Sequence, residues 1–175
     1  TRGTMPLVRK VSESEARESI KRYAVGVEYD GSRFHGWQSQ LGVTTVQDLL
    51  EGALSSVAAA PIRVITAGRT DTGVHASGQV AHFDTLAERT ALNWVRGANT
   101  NLPEGLAVTW ANEVDNRFHA RFSALSRKYR YILFCRDVRP TYLAQRVSWT
   151  YECLDVQRMC AAAISTRAHL TIFRV

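Results

Sequence analysis

Apolar positions follow helical spacing most clearly between Thr45 and Ala60, where Val46, Leu49, Leu50, Ala53, Leu54 and Val57 recur at i, i+3, i+4 and i+7. That pattern predicts an amphipathic helix with Thr45 as its N-cap, Asp48 at the third helical position and Pro61 as its stop. Ahead of it, Tyr23 to Tyr29 has the aromatic and valine content of a strand, closed by the turn signal Asp30-Gly31-Ser32. After it, Ile62–Ala67, Gln79–Thr85 and Leu106–Val114 read as strands and Thr90–Thr100 as a short helix.

Ser126–Cys135 reads as the last strong strand, with Tyr129, Tyr131 and Leu133 on one face and Lys128, Arg130, Ile132 and Phe134 on the other. A strand near Val147–Tyr151 and a helix beginning at Asp155 follow. The sum is a mixed α+β fold, with helices on one side of an antiparallel sheet. Residues 1–21 are polar and lack an apolar period, so they are expected to form a disordered tail.

Composition narrows the class. With 175 residues and 45% apolar content the chain has room for one sizeable domain, or one domain and part of another. No apolar run approaches the length of a membrane span and the N-terminus carries no secretory h-region, so a soluble, cytoplasmic protein without membrane contact is expected. Three cysteines, Cys135, Cys153 and Cys160, form no C-x-x-C pair and read as buried thiols; the five histidines show no ligand spacing, so no metal site is expected. The net charge of +6 is concentrated: Arg117, Arg121, Arg127, Lys128, Arg130, Arg136 and Arg139 share one segment opposed only by Asp137. Such a field suits the phosphates of a nucleic acid, with Arg127, Lys128 and Arg130 as candidate contacts.

The stretch Ala67 to Ala76, A-G-R-T-D-T-G-V-H-A, sets one carboxylate, Asp71, between Gly68 and Gly73 with Arg69 two residues away. An Asp in such a loop is commonly a turn residue, but flanking strand patterns on both sides favour a functional loop on a rigid scaffold. Asp71 is therefore the candidate nucleophile, with Arg69 as a neighbouring charge that would favour its ionised form. A glycoside-hydrolase alternative needs a second carboxylate, for which Asp84 or Glu113 are nominees without a comparable loop.

Seven segments in order carry a family resemblance: Tyr29-Asp30-Gly31, Phe34-His35-Gly36-Trp37-Gln38, Val46-Gln47, the Ala67–Ala76 loop, Gln79-Val80-Ala81-His82-Phe83, Phe118-His119-Ala120-Arg121-Phe122-Ser123-Ala124 and Lys128-Tyr129-Arg130-Tyr131. Over about Arg22 to Asp155 the chain resembles the tRNA pseudouridine synthase A family. That resemblance implies that Asp71 is the essential aspartate, Tyr129 the tyrosine packing on the target base, and Arg69 the arginine beside the acid. It also implies a ferredoxin-like sheet, cofactor-free isomerisation of uridines in the anticodon arm of tRNA, and a homodimer. A non-catalytic RNA-binding module is the alternative.

On this reading residues 22–140 form the subdomain with the catalytic loop, and 141–175 begin a second subdomain. Where similar proteins carry His-Asp-Phe followed by Phe-Arg, this chain has His169-Leu170-Thr171-Ile172-Phe173-Arg174. The second subdomain is expected to be incomplete, and with it the basic partner of the aspartate.

Overall fold

The structure is a computed structural model that describes residues 20–152, 154–166 and 170–174. Its first unit runs β1 (Lys21–Tyr29), a short 3₁₀ turn (Gly31–Arg33), α1 (Val46–Ala58), β2 (Ile65–Thr66), β3 (Ala76–Thr85), α2 (Ala91–Asn101) and β4 (Leu106–Val114). These strands form one antiparallel sheet in the order β2-β3-β1-β4. The β-α-β-β-α-β connectivity with that strand order is the ferredoxin-like arrangement, as expected.

The central position of β1 explains its composition. Tyr23, Val25, Val27 and Tyr29 are all buried and join Leu50 and Leu54 of α1 and Trp94 of α2 in one core. Thr45 caps α1 by accepting from the Asp48 amide, and Thr90 caps α2 by accepting from the Asn93 amide. β4 has the expected bounds; the expected tail of residues 1–21 runs too far, because Lys21 pairs with Thr85 as the first residue of β1, and residues 1–19 lie outside the described residues.

Two expected strands are shorter than their patterns. Of Ile62–Ala67 only Ile65–Thr66 joins the sheet, because α1 side chains take the preceding amides: Ile62 N–H donates to Ser55 Oγ (2.8 Å) and Val64 N–H to Glu51 Oε1 (3.0 Å). Glu51 is buried and also accepts from Gln47 Nε2 and Arg63 Nη1. A carboxylate thus replaces a strand ladder in satisfying this segment.

Ser126–Cys135 is likewise extended too far by its alternation. Strand structure begins only at Tyr131 (β5, Tyr131–Cys135), and residues 126–130 are exposed irregular chain. Nor does β5 belong to the antiparallel sheet. It is the middle of a second sheet, order β6-β5-β7, that pairs it in parallel with β6 (Ser148–Thr150) and β7 (Leu170–Arg174). Helix α3 (Val156–Thr166) connects β6 to β7. The buried Cys135 thiol donates to the Glu152 carbonyl (2.9 Å), while Cys153, His169 and the Cys160 side chain lie outside the described residues.

Candidate active site

At the end of the first sheet where β1 finishes at Tyr29 and β3 begins at Ala76, the chain between β2 and β3 forms an irregular loop. Its tip is a turn in which Val74 N–H donates to the Asp71 carbonyl (3.2 Å) and Gly73 takes φ +82° at the third position. That dihedral is the one a type II turn requires, and glycine adopts it without cost.

Two other glycines let neighbouring segments close on this loop. A Cβ on Gly31 would lie 2.1 Å from the Val74 carbonyl oxygen, and one on Gly36 would lie 2.8 Å from that of Thr70. The loop is therefore gripped on both sides of Asp71 by backbone that only glycine permits at that distance. The Gly36 side is anchored further: Trp37 N–H donates to the Thr70 carbonyl (2.9 Å), while Val46 and Gln47 at the start of α1 donate to the Gly36 and Trp37 carbonyls (3.2 and 3.0 Å). Amides left unpaired by the first turn of a helix thus hold the strap that holds the loop. Trp37 itself is buried against Tyr29 and belongs to the core, not to the surface.

Side chains complete the frame. Tyr29 and Thr70 hydroxyls lie 2.7 Å apart, and the Gly68 carbonyl accepts from Gln79 Nε2 (2.7 Å) and Thr66 Oγ1 (3.1 Å). Burial pushes the Tyr29 phenol up, so it stays a neutral hydrogen-bonding group. At the far end of the loop, His75 Nε2 lies 2.7 Å from the Gln145 carbonyl and its Nδ1 3.2 Å from the Asp30 carboxylate without hydrogen-bond geometry, while Arg146 also approaches Asp30. Asp30 is held below the usual carboxylate range, chiefly by its hydrogen bonds from Ser32.

Asp71 is exposed and lines a cleft of about 510 Å³ with His35, Gln38, Gln40, Arg69, Thr70 and Thr72. Arg69 shares the cleft with Asp71, a neighbouring charge with no ion pair between the two side chains. Both groups are solvated, where a contact pair gains little over separate hydration. Among the described residues neither side chain has a hydrogen-bond or ion-pair partner, which leaves both available to a ligand. The Tyr129 hydroxyl lies over Gly68, where an added Cβ would meet it at 3.4 Å, and its ring is largely exposed. Tyr129 does not line the cleft itself.

The three basic candidates separate. Arg127 is committed to the fold, its Nε donating to the Ala67 carbonyl (2.9 Å) and its Nη2 to that of Arg121 (2.8 Å). Lys128 and Arg130 are exposed and make no hydrogen bond or ion pair with a described residue. The alternative carboxylates are both engaged elsewhere. Asp84 takes a bidentate pair from Arg22 (2.6 Å for each bond), which holds it below the usual carboxylate range, and Glu113 faces Lys21 and the Tyr23 hydroxyl. Among the described residues no three His, Cys, Asp or Glu side chains converge as a metal site would require.

Sequence reasoning missed the gripping roles of Gly31 and Gly36, the Gln79–Gly68 contact and the His75–Gln145 bond. The signal was present in the Tyr29-Asp30-Gly31 and Phe34-His35-Gly36-Trp37-Gln38 segments, whose glycines follow turn and aromatic positions without a helix or strand to explain them.

A family model described as tRNA pseudouridine synthase matches residues 26–123, a span that includes the whole Asp71 loop. The chain is 51% identical over 158 residues to tRNA pseudouridine synthase A of Pseudomonas aeruginosa, covering 90% of this chain and 55% of that protein. It is 53% identical over 144 residues to the protein of that name in Coxiella burnetii (82% and 55% covered), and 56% identical over 138 residues to that in Nitrosococcus oceani (79% and 53% covered). The chain thus spans about half the length of the curated relatives it matches. A ferredoxin-like sheet presenting a glycine-gripped aspartate, a family model that covers this unit, and relatives above 50% identity lead to one conclusion: the chain belongs to the tRNA pseudouridine synthase family.

Proposed function

We propose that a protein of full family length carrying this sequence isomerises uridine to pseudouridine in the anticodon stem-loop of tRNA, with Asp71 as the nucleophile. The reaction breaks the N1–C1′ glycosidic bond, turns the uracil and joins C5 to C1′, with loss of the C5 proton. One carboxylate suffices for it, whether it attacks C1′, adds to C6 or removes the 2′ proton. No external cofactor enters any of these routes. The observation that carries the reading is the position of Asp71: an exposed carboxylate on a loop fixed from both sides, facing a cleft of about 510 Å³. That volume is within the range of small-ligand sites and suits a flipped-out nucleoside.

Arg69, in the same cleft and without a partner among the described residues, serves as a contact for the phosphate or base beside the target. Tyr129, poised over Gly68, packs on the target base once the RNA enters, and Lys128 and Arg130 meet the backbone phosphates. Arg127 contributes by holding the Ala67 end of the loop. The activity is assigned to the cytoplasm and to a homodimer of full family length, both on the family resemblance. Among the described residues no helix is long and apolar enough to cross a membrane.

The test is direct: unmodified tRNA transcripts are incubated with the full-length protein, digested to nucleosides and resolved by chromatography. Pseudouridine is the expected product, located to the anticodon arm by primer extension after carbodiimide treatment. A protein that binds the transcript but yields no pseudouridine is a binding module, and the proposal fails.

A further inference from the structure

Between β4 and residue 126 the chain makes a tight excursion that the proposed reaction does not use. Its turn is closed by Ser123 N–H on the His119 carbonyl (2.7 Å) and His119 N–H on Ser123 Oγ (3.0 Å). The base is pinned to the sheet. Arg22 Nη1 donates to the Asn116 and Phe118 carbonyls (2.7 and 2.8 Å), and Ala120, itself buried, donates its amide to Nδ1 of the buried His82 (3.1 Å).

On this fixed base Phe122 stands 78% exposed. Its ring stacks on that of His119 with centroids 4.3 Å apart and planes at 29°, and the Arg121 guanidinium lies 5.8 Å from the ring centroid. Among the described residues this large apolar ring lies outside the core, held outward by backbone bonds. Arg127 ties this turn to the candidate active site, since one guanidinium bonds both the Arg121 carbonyl and the Ala67 carbonyl at the start of the Asp71 loop.

We propose that Phe122, backed by His119 and flanked by Arg121, is a stacking platform for an unpaired base of the RNA strand next to the target nucleotide. The inference rests on the RNA-modifying reading above and extends it to a second base. Charge decides between RNA and a protein partner. Residues 116–130 hold Arg117, Arg121, Arg127, Lys128 and Arg130 and no Asp or Glu, and the nearest acid, Asp115, is already paired with Arg117 (3.0 Å). Exposed aromatics interleaved with cations are the arrangement that single-stranded RNA recognises, because every base offers a π-face and every linkage a phosphate. The pre-set geometry lowers the ordering cost of binding.

The test compares wild type, Phe122→Ala and Phe122→Trp for affinity to two labelled RNAs, a stem-loop with an unpaired uridine-containing loop and a fully paired duplex, by fluorescence anisotropy. Phe122→Ala is expected to weaken stem-loop binding on the order of tenfold, Phe122→Trp to restore it, and duplex binding to stay constant. Thermal melting of each variant checks the fold, and sedimentation checks association. Unchanged stem-loop affinity in Phe122→Ala, equal loss for both RNAs, or a change confined to self-association overturns the platform. Pseudouridine formation by full-length protein in the same RNA tests the underlying reading separately. No product together with an intact Phe122 effect rejects the catalytic reading and keeps the platform; product without a Phe122 effect does the reverse.

Discussion

Replacing Gly36 by alanine separates the grip on the Asp71 loop from the ordinary cost of a left-handed residue. Gly36 and Gly42 both have φ +81°, but a Cβ at Gly36 would sit 2.8 Å from the Thr70 carbonyl oxygen, whereas one at Gly42 meets no described residue within 4 Å. An alanine at that dihedral costs about 1–2 kcal/mol, offset by about 0.4–1 kcal/mol because alanine has less freedom to lose on folding. Gly42→Ala is therefore expected to destabilise by about 1 kcal/mol. Gly36→Ala carries the same backbone penalty and also forces the Thr70 carbonyl away, which breaks the bond it accepts from the amide of the buried Trp37. An unpaired buried amide costs about 1–3 kcal/mol, so Gly36→Ala is expected at about 3 kcal/mol, roughly 2 kcal/mol worse than its control.

Urea unfolding of the two variants beside wild type reads this difference, provided the slopes agree. Exchange of the Trp37 amide hydrogen reports the bond itself, and is expected to accelerate in Gly36→Ala alone. Equal destabilisation by the two substitutions, with Trp37 exchange unmoved, would refute the claim that Gly36 is there for the approach to Thr70.

Three further outcomes test other parts of the account. Glu51→Ala, which strips partners from the Val64 amide, Gln47 and Arg63, is expected to cost about 2–3 kcal/mol in urea unfolding, and Glu51→Gln about half, since the amide oxygen keeps two of the three acceptor roles. His82 is depressed from its ordinary 6.5, first by burial and then by Arg22 and His119, against a smaller pull from Asp84. The unfolded chain therefore binds the proton more readily, and stability should fall as pH drops below the ordinary histidine value of about 6.5, with His82→Asn flattening that slope; a flat wild-type profile there contradicts the assignment. Tyr129→Phe should retain most binding and turnover of tRNA while Tyr129→Leu loses them by about tenfold, and equal behaviour of both variants with wild type removes Tyr129 from the site.

Much of the fold was legible in the sequence because local chemistry and tertiary packing agree there. Thr45, the apolar stripe of α1 and Pro61 bound one helix unambiguously, and β4 has the bounds its pattern predicts. Sequence pattern failed where distant groups satisfied the backbone. Residues 62–64 look like strand, yet their amides go to Ser55 and Glu51 on the preceding helix; residues 126–130 alternate like strand, yet Arg127 turns back to carbonyls at Ala67 and Arg121. The parallel pairing of β5 was invisible for a related reason, since its partners come later in the chain and nothing in Tyr131–Cys135 itself distinguishes one sheet from another.

The site was legible in its chemistry and not in its mechanics. A carboxylate between glycines announced Asp71, but only the backbone shows that Gly31 and Gly36, outside that loop, fix its position. Arg69 was read from its spacing as a charge neighbouring Asp71, and the two line one cleft with no ion pair between them. Adjacency in sequence does not supply a contact when water solvates both groups as well.

The central claim, that the Asp71 carboxylate performs the chemistry, is tested most directly by tritium release from C5-labelled uridine in tRNA with Asp71→Asn in the full-length protein. The account expects release to vanish while tRNA affinity stays within about threefold of wild type, because asparagine keeps the shape of the loop and loses the nucleophilic oxygen. Continued release at the wild-type rate would contradict it.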